Sequence, residues 1–228
     1  MLRKYIESIA SEIKKEPSPL FPAGVLLISV ITLTMTVDKR LISFLSPLIP
    51  AVPYLKALTP YYIICFFLLF VIPCVFLKIN GKKLGDFGLT FGKLETALPL
   101  FMVFFVSLTV IAYITSKISS VGNFYSASAA ADPKEILVLF ISEFLLMWSW
   151  EFMFRGFMVQ GLRDYTGGLS IFIQLIPYVL LHFNKPQSEL YASVIFGIFF
   201  GYFAYTTRSF VYLVFLHAYY STLVCVLI

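Results

Sequence analysis

Trp148-Ser149-Trp150-Glu151-Phe152-Met153-Phe154-Arg155-Gly156 sets a carboxylate and a guanidinium four residues apart inside an apolar segment that runs from 136 to about 159. Positions i and i+4 share one face of a helix, so Glu151 and Arg155 can pair. A charge at a bilayer centre costs about 2.5–3.5 kcal/mol on insertion scales, which is why intramembrane charges face a bundle interior or a wet cavity. The stretch therefore marks a candidate site on an inward-facing helix. Its plainer alternative is a structural ion pair that locks two helices.

The surrounding chain supports the membrane setting. Of its 228 residues 60% are hydrophobic and 13% charged, and the mean hydropathy is +0.90, far above that of a soluble domain. Apolar runs separated by short polar stretches imply helices rather than barrel strands, which alternate over about ten residues. The expected fold is all-α, a polytopic integral membrane helical bundle of about seven transmembrane helices (range 6–8). The lipid bilayer is its first partner. A net charge of +5 raises nucleic acid as a partner, but the basic residues are scattered among loops, which fits an anionic leaflet and excludes nucleic acid. Cys65, Cys74 and Cys225 form no C-x-x-C and read as packing residues.

Taken in order, 1–18 reads as an amphipathic arm on the membrane surface and 19–118 as the N-terminal transmembrane helices, with spans at 20–37, 61–77 and 96–116. Four prolines between 41 and 60 make a re-entrant or interfacial segment the better expectation there. Pro73 is expected to kink the second span. The segment 119–133, rich in Ser, Ala and Gly, reads as a flexible linker between two halves. Asp132-Pro133 supplies an N-cap and a first helical residue, opening the membrane domain 132–228. Spans at 169–183, 190–206 and 209–228 complete it, and Gly197-x-x-x-Gly201 invites close approach of a neighbouring helix. Counting Lys and Arg in loops puts the N-terminus in the cytoplasm and the protein in the cell membrane.

Glu143, Glu151, Arg155, His182 and His217 are the ionisable residues of the apolar segments in this second half, and it holds both histidines of the chain. A lone membrane histidine is usually a helix-to-helix hydrogen bond; a pair on different helices, with a Glu-x-x-x-Arg helix between them, points to a composite site. Carboxylate and imidazole together suit hydrolysis, each able to take or return a proton of water. Arginine can hold the carboxylate or face an anionic group. A divalent metal such as zinc, with Glu151, His182 and His217 as candidate ligands, fits the residue types, but the sequence requires no cofactor and lacks H-E-x-x-H spacing. Glu143 reads as a helix contact, about 80° around the helix from Glu151, and Trp148 and Trp150 as interfacial anchors as readily as anything else.

The order Glu151-x-x-x-Arg155-Gly156, an aromatic-x-x-x-His ending in His182, Gly197-x-x-x-Gly201, Thr207-Arg208-Ser209 and His217 resembles the CPBP family of intramembrane proteases, which includes the CAAX prenyl endopeptidase and the bacteriocin-processing and abortive-infection proteins. Gly85-Asp86-Phe87-Gly88-Leu89 is similar to a segment these proteins carry upstream. The resemblance implies an all-α cavity in which glutamate and histidines activate water to cleave a peptide bond, often described as metalloprotease chemistry. Carried over residue by residue, it assigns Glu151, Arg155, His182 and His217. Two departures stand out: Trp150 occupies the place of the family's first glutamate, and Ser221 the place of an asparagine. Trp-Glu before Phe-x-Phe-Arg-Gly, with Lys185-Pro186-Gln187-Ser188-Glu189 after the histidine, is similar to a subgroup of the family. Glu189 joins the candidates as a carboxylate that a short turn could fold over the cavity mouth, its ordinary role being to stabilise a helix N-terminus.

The expected function is thus an intramembrane endopeptidase acting on a membrane-associated protein or peptide. The alternatives are a catalytically silent relative serving as an immunity or scaffold protein, and a proton-coupled transporter, against which the lack of an internal repeat speaks.

Overall fold

The computed structural model describes residues 20–49 and 59–228. The amphipathic arm and the proline-rich stretch 50–58 expected above lie outside the described residues. Every regular element among the described residues is helical, and nine helices build the bundle: α1 (Leu20–Val37), α2 (Lys39–Leu45), α3 (Pro60–Ile79), α4 (Leu94–Ser116), α5 (Ser119–Tyr125), α6 (Pro133–Thr166), α7 (Leu169–Leu180), α8 (Gln187–Thr207) and α9 (Val211–Leu227). Helices α1, α3, α4, α6 and α8 are long and apolar enough to cross a membrane, while α7 and α9 are shorter apolar helices.

The long helix α6 is the axis of the molecule. Asp132 caps it, its side chain accepting a hydrogen bond from the Lys134 amide at 2.7 Å, with Pro133 in the first turn where no amide is needed. Helix α9 packs along α6 and also against α4; α3 lies on another side of α6, and α7 and α8 pack on each other and on its second half. That second half widens into a π-helix over Phe152–Gln160, a departure from α geometry common at functional sites. Gly156 lies inside it because the chain comes too close for a side chain: a Cβ there would stand 2.7 Å from the Phe87 carbonyl. The Gly85-to-Leu89 loop thus presses directly on α6, held by the Gly88 carbonyl, which accepts a hydrogen bond from the Phe210 amide at 3.2 Å.

Pro73 follows a π-helical stretch, Phe67–Val71, within α3, and this wide turn accommodates its missing amide and its ring. One expectation about local structure changes. The segment 119–133 is not a flexible linker. It folds into α5 and a 3-10 turn, Ser126–Ser128, because Val121 is fully buried against Ala112 and Val224 and the Tyr125 hydroxyl donates to Glu189 at 2.8 Å.

Close approach of α7 to α8 depends on the two glycines of the G-x-x-x-G. A Cβ at Gly197 would meet the Leu175 side chain at 2.3 Å, and one at Gly201 the Ile171 side chain at 2.8 Å. Gln174 then spans the seam, its Nε2 donating to the Gly197 carbonyl at 2.9 Å. Gly201→Val is expected to force α7 outward and lower stability by about 1–3 kcal/mol, the usual cost of overpacking, read as a depressed melting temperature in detergent; an unchanged melting temperature would show that this seam tolerates extra volume.

Candidate active site

A cavity of about 450 Å³ opens between α3, α5, α6, α8 and α9. Tyr62, Tyr125, Glu143, His182, Glu189 and His217 supply its main polar groups, within a lining otherwise rich in Leu, Phe and Tyr. Its walls are therefore those of an apolar pocket with a few convergent polar groups.

Glu151 does not line this cavity. It is the last α-helical residue before the π-helix, wholly buried, and its two oxygens are split between partners. The Nδ1 hydrogen of His217 donates to Oε1 at 2.6 Å, and Arg155 Nε stands 3.3 Å from Oε2. The expectation that Glu151 and Arg155 share a helix face is met, and the expectation that both form the wall is not. The carboxylate lies one layer deeper, behind His217. Because a carboxylate oxygen accepts hydrogen bonds, this contact fixes the hydrogen on Nδ1, so that in the neutral ring Nε2 of His217 is the acceptor.

Arg155 is also fully buried, and aromatic rings surround it. Its guanidinium carbon lies 4.2 Å from the Tyr178 ring centre, 5.6 Å from that of Phe154 and 5.7 Å from that of Phe200. Such faces attract a desolvated cation. Two of these rings continue to the histidines. Tyr178 packs on His182 with ring centres 4.8 Å apart, and Phe200 meets His217 at 6.0 Å. The ion pair thus supports both imidazoles at once.

His182 lies just past the end of α7, in the turn that follows it. Its orientation follows from that helix end. The last carbonyls of a helix lack amide partners; the His182 amide bonds the Val179 carbonyl, and the Tyr178 carbonyl accepts from His182 Nδ1 at 2.8 Å instead. A carbonyl only accepts, so His182 too carries its hydrogen on Nδ1 and keeps Nε2 as an acceptor. Trp150, in the place where the family resemblance expects a carboxylate, packs on Phe154, Tyr178 and His182. Trp148 packs on Phe70, Phe144 and Phe210. Both indoles belong to the aromatic support of the site rather than to an interface.

Glu189 sits in the first turn of α8 and also lines the cavity. Its Oε2 accepts from the Tyr125 hydroxyl at 2.8 Å and pairs with Lys185 Nζ at 3.5 Å. Burial, and then the neighbouring Glu189 carboxylate, push the Tyr125 phenol above its ordinary value, so it stays a donor. Ser221, one turn beyond His217, lines the same wall.

Glu143 is the residue that the sequence reading passed over as a helix contact. It lines the cavity, and its Oε1 accepts from the Tyr62 hydroxyl at 2.7 Å. The signal was its angular offset from Glu151: Glu143 faces the cavity, whereas Glu151 lies behind His217. Among the described residues no group of three or more His, Cys, Asp or Glu side chains gathers closely enough to hold a metal ion. Glu151, His182 and His217 therefore do not form a ready ligand set, one Glu151 oxygen being committed to His217 and the other facing Arg155.

Residues 132–223 match the model of the family described as type II CAAX prenyl endopeptidase Rce1-like. No curated protein and no solved structure matches the chain significantly.

Arg155→Ala leaves the Glu151 carboxylate without its cation in a dry interior and is expected to cost about 3–5 kcal/mol of stability. Thermal unfolding in detergent checks this, and a monodisperse variant that melts with the wild type would contradict a buried ion pair at this position.

Proposed function

With residues 132–223 matching the model of the type II CAAX prenyl endopeptidase Rce1-like family, we propose that this protein is an intramembrane endopeptidase that hydrolyses a peptide bond in a membrane-associated protein or peptide. It acts in the cell membrane, with its N-terminus in the cytoplasm. The observation that carries this reading is the pair of imidazoles that line one cavity, each with Nδ1 engaged and Nε2 the acceptor of the neutral ring. A water held at such a nitrogen can attack the carbonyl carbon of a peptide that enters the cavity.

Glu151 acts through His217 in this proposal. It holds the ring in one tautomer and orientation so that Nε2 faces the water, the positioning part a buried carboxylate plays behind a catalytic histidine. Arg155 keeps that carboxylate in place. No step passes through a metal ion. Glu189, with Lys185 and Tyr125, closes one side of the cavity and contacts the substrate chain there.

One observation favours a second reading, that of a catalytically silent relative with an immunity or scaffold role. Trp150 puts an indole, which accepts no proton, beside His182. A library of internally quenched peptides anchored by a prenylated cysteine, incubated with the purified protein in bilayer nanodiscs, separates the two. The endopeptidase reading expects cleavage by the wild type and a loss of about 10²-fold or more in His217→Ala and His182→Ala. His182→Ala is expected to stay folded, since a polar contact in a helix bundle contributes only about 0.6 kcal/mol on average; His217→Ala removes one of the two partners of Glu151, so its melting temperature is measured beside its activity. Wild-type protein that cleaves no peptide, or variants whose activity falls only in step with their expression, would favour the silent relative.

A further inference from the structure

Among the carboxylates of the bundle, Glu143 has an arrangement that packing does not account for. Tyr62 engages Oε1 alone, and among the described residues no hydrogen bond and no ion pair engages Oε2. The side chain nevertheless faces the cavity from within an apolar helix. An ionisable group placed there without a cation in contact is costly unless it serves the site.

Its position relative to His217 follows from how α6 and α9 pack. Glu151 meets His217, while Leu139 and Ile136 meet Cys225, so the two helices run antiparallel. Glu143 lies two turns from Glu151 toward the N-terminus of α6, and α9 brings Ser221 to the wall between those levels. Lys185 and His217 line the same cavity as Glu143. A peptide threaded into the cavity would pass between Glu143 on α6 and the imidazole on α9.

We propose that Glu143 is a catalytic residue, the carboxylate that takes the proton of the attacking water, in place of the carboxylate that Trp150 removes from the helix one layer below. This rests on the endopeptidase reading. Water held between Oε2 of Glu143 and Nε2 of His217 forms its O–C bond to the scissile carbonyl as one of its protons passes to Glu143. The tetrahedral intermediate collapses, the C–N bond breaks with its electron pair going to nitrogen, and the leaving amine takes the proton back from Glu143. Peptide and water become one carboxyl and one amino terminus, with no other reactant consumed. Tyr62 holds the unreactive oxygen, so Oε2 is presented to the water. Glu189 is less suited to this step, because it is already paired with the Lys185 cation, whereas among the described residues no cation pairs with Glu143.

Glu143→Gln discriminates this role from a structural one, because the glutamine carbonyl can still accept from Tyr62 and keep α3 clamped to α6, while it cannot take a proton from water. In nanodiscs, with the prenyl-anchored quenched peptides, the expected result is a fall in kcat of about 10²-fold or more, with KM within about threefold and melting unchanged, and partial recovery of kcat in Glu143→Asp. Tyr62→Phe, which frees the unreactive oxygen but keeps the carboxylate, is expected to lower kcat by at least tenfold less than Glu143→Gln does. Glu143→Gln that turns over within about threefold of wild type, while His217→Ala is inactive, overturns the role of Glu143 and leaves the endopeptidase reading intact. Equal losses in Glu143→Gln and Tyr62→Phe assign Glu143 to the clamp alone and likewise overturn it, and a wild type that cleaves nothing overturns both.

Discussion

A single buried carboxylate organises this bundle. Glu151 has no water to solvate it, and so its charge must be met by Arg155 on its own helix and His217 on α9. Meeting it fixes three further things. It sets the level at which α9 packs against α6, it holds the His217 ring with one nitrogen turned from the carboxylate, and it draws a guanidinium into a nest of aromatic rings. The desolvation of two charges is a large penalty that only close geometry and further favourable contacts offset. Here the offset comes from Tyr178, Phe154 and Phe200, whose faces surround the cation.

From that centre the constraint spreads through backbone contacts. Tyr178 lies beneath Arg155 only because α7 sits tightly on α8, and α7 can do so because Gly197 and Gly201 leave room for Leu175 and Ile171. His182 inherits its orientation from the same helix, whose final free carbonyl takes its Nδ1 hydrogen. On the other side the Gly85-to-Leu89 loop reaches α6 at Gly156, in the middle of the π-helix. The motifs spaced along the sequence are thus mostly contacts of one helix: Gly156 with the loop, Arg155 with Glu151 and Tyr178, Glu151 with His217. Trp150 adds packing to His182, and the carboxylate that this helix presents to the cavity is Glu143.

Much of the fold could be read from hydrophobic runs alone, because a membrane helix announces itself by length and composition. The Asp132-Pro133 start of α6 and the pairing of Glu151 with Arg155 follow from local rules that hold in any helix. The depth of Glu151 could not be read in the same way. Whether a helical residue faces a cavity or lies behind a neighbour depends on the register of α6 against α9, a property of packed surfaces and not of spacing. Two π-helical stretches add to this, since a shift from i→i+4 to i→i+5 bonding leaves no plain mark in composition. Segment 119–133 misled for another reason: small polar residues suggest a loose connection, but Val121 and Tyr125 alone suffice to fold it against the bundle.

The most direct measurement of the central constraint is the tautomer of His217, read from the ¹⁵N chemical shifts of ring-labelled histidine in lipid bilayers, with His182→Gln used to assign the signals. A buried Glu151 carboxylate that orients the ring requires hydrogen on Nδ1 and a bare Nε2 at neutral pH, with that preference lost in Glu151→Gln. Hydrogen on Nε2 of His217, or a tautomer indifferent to Glu151→Gln, would contradict the arrangement on which the site is built.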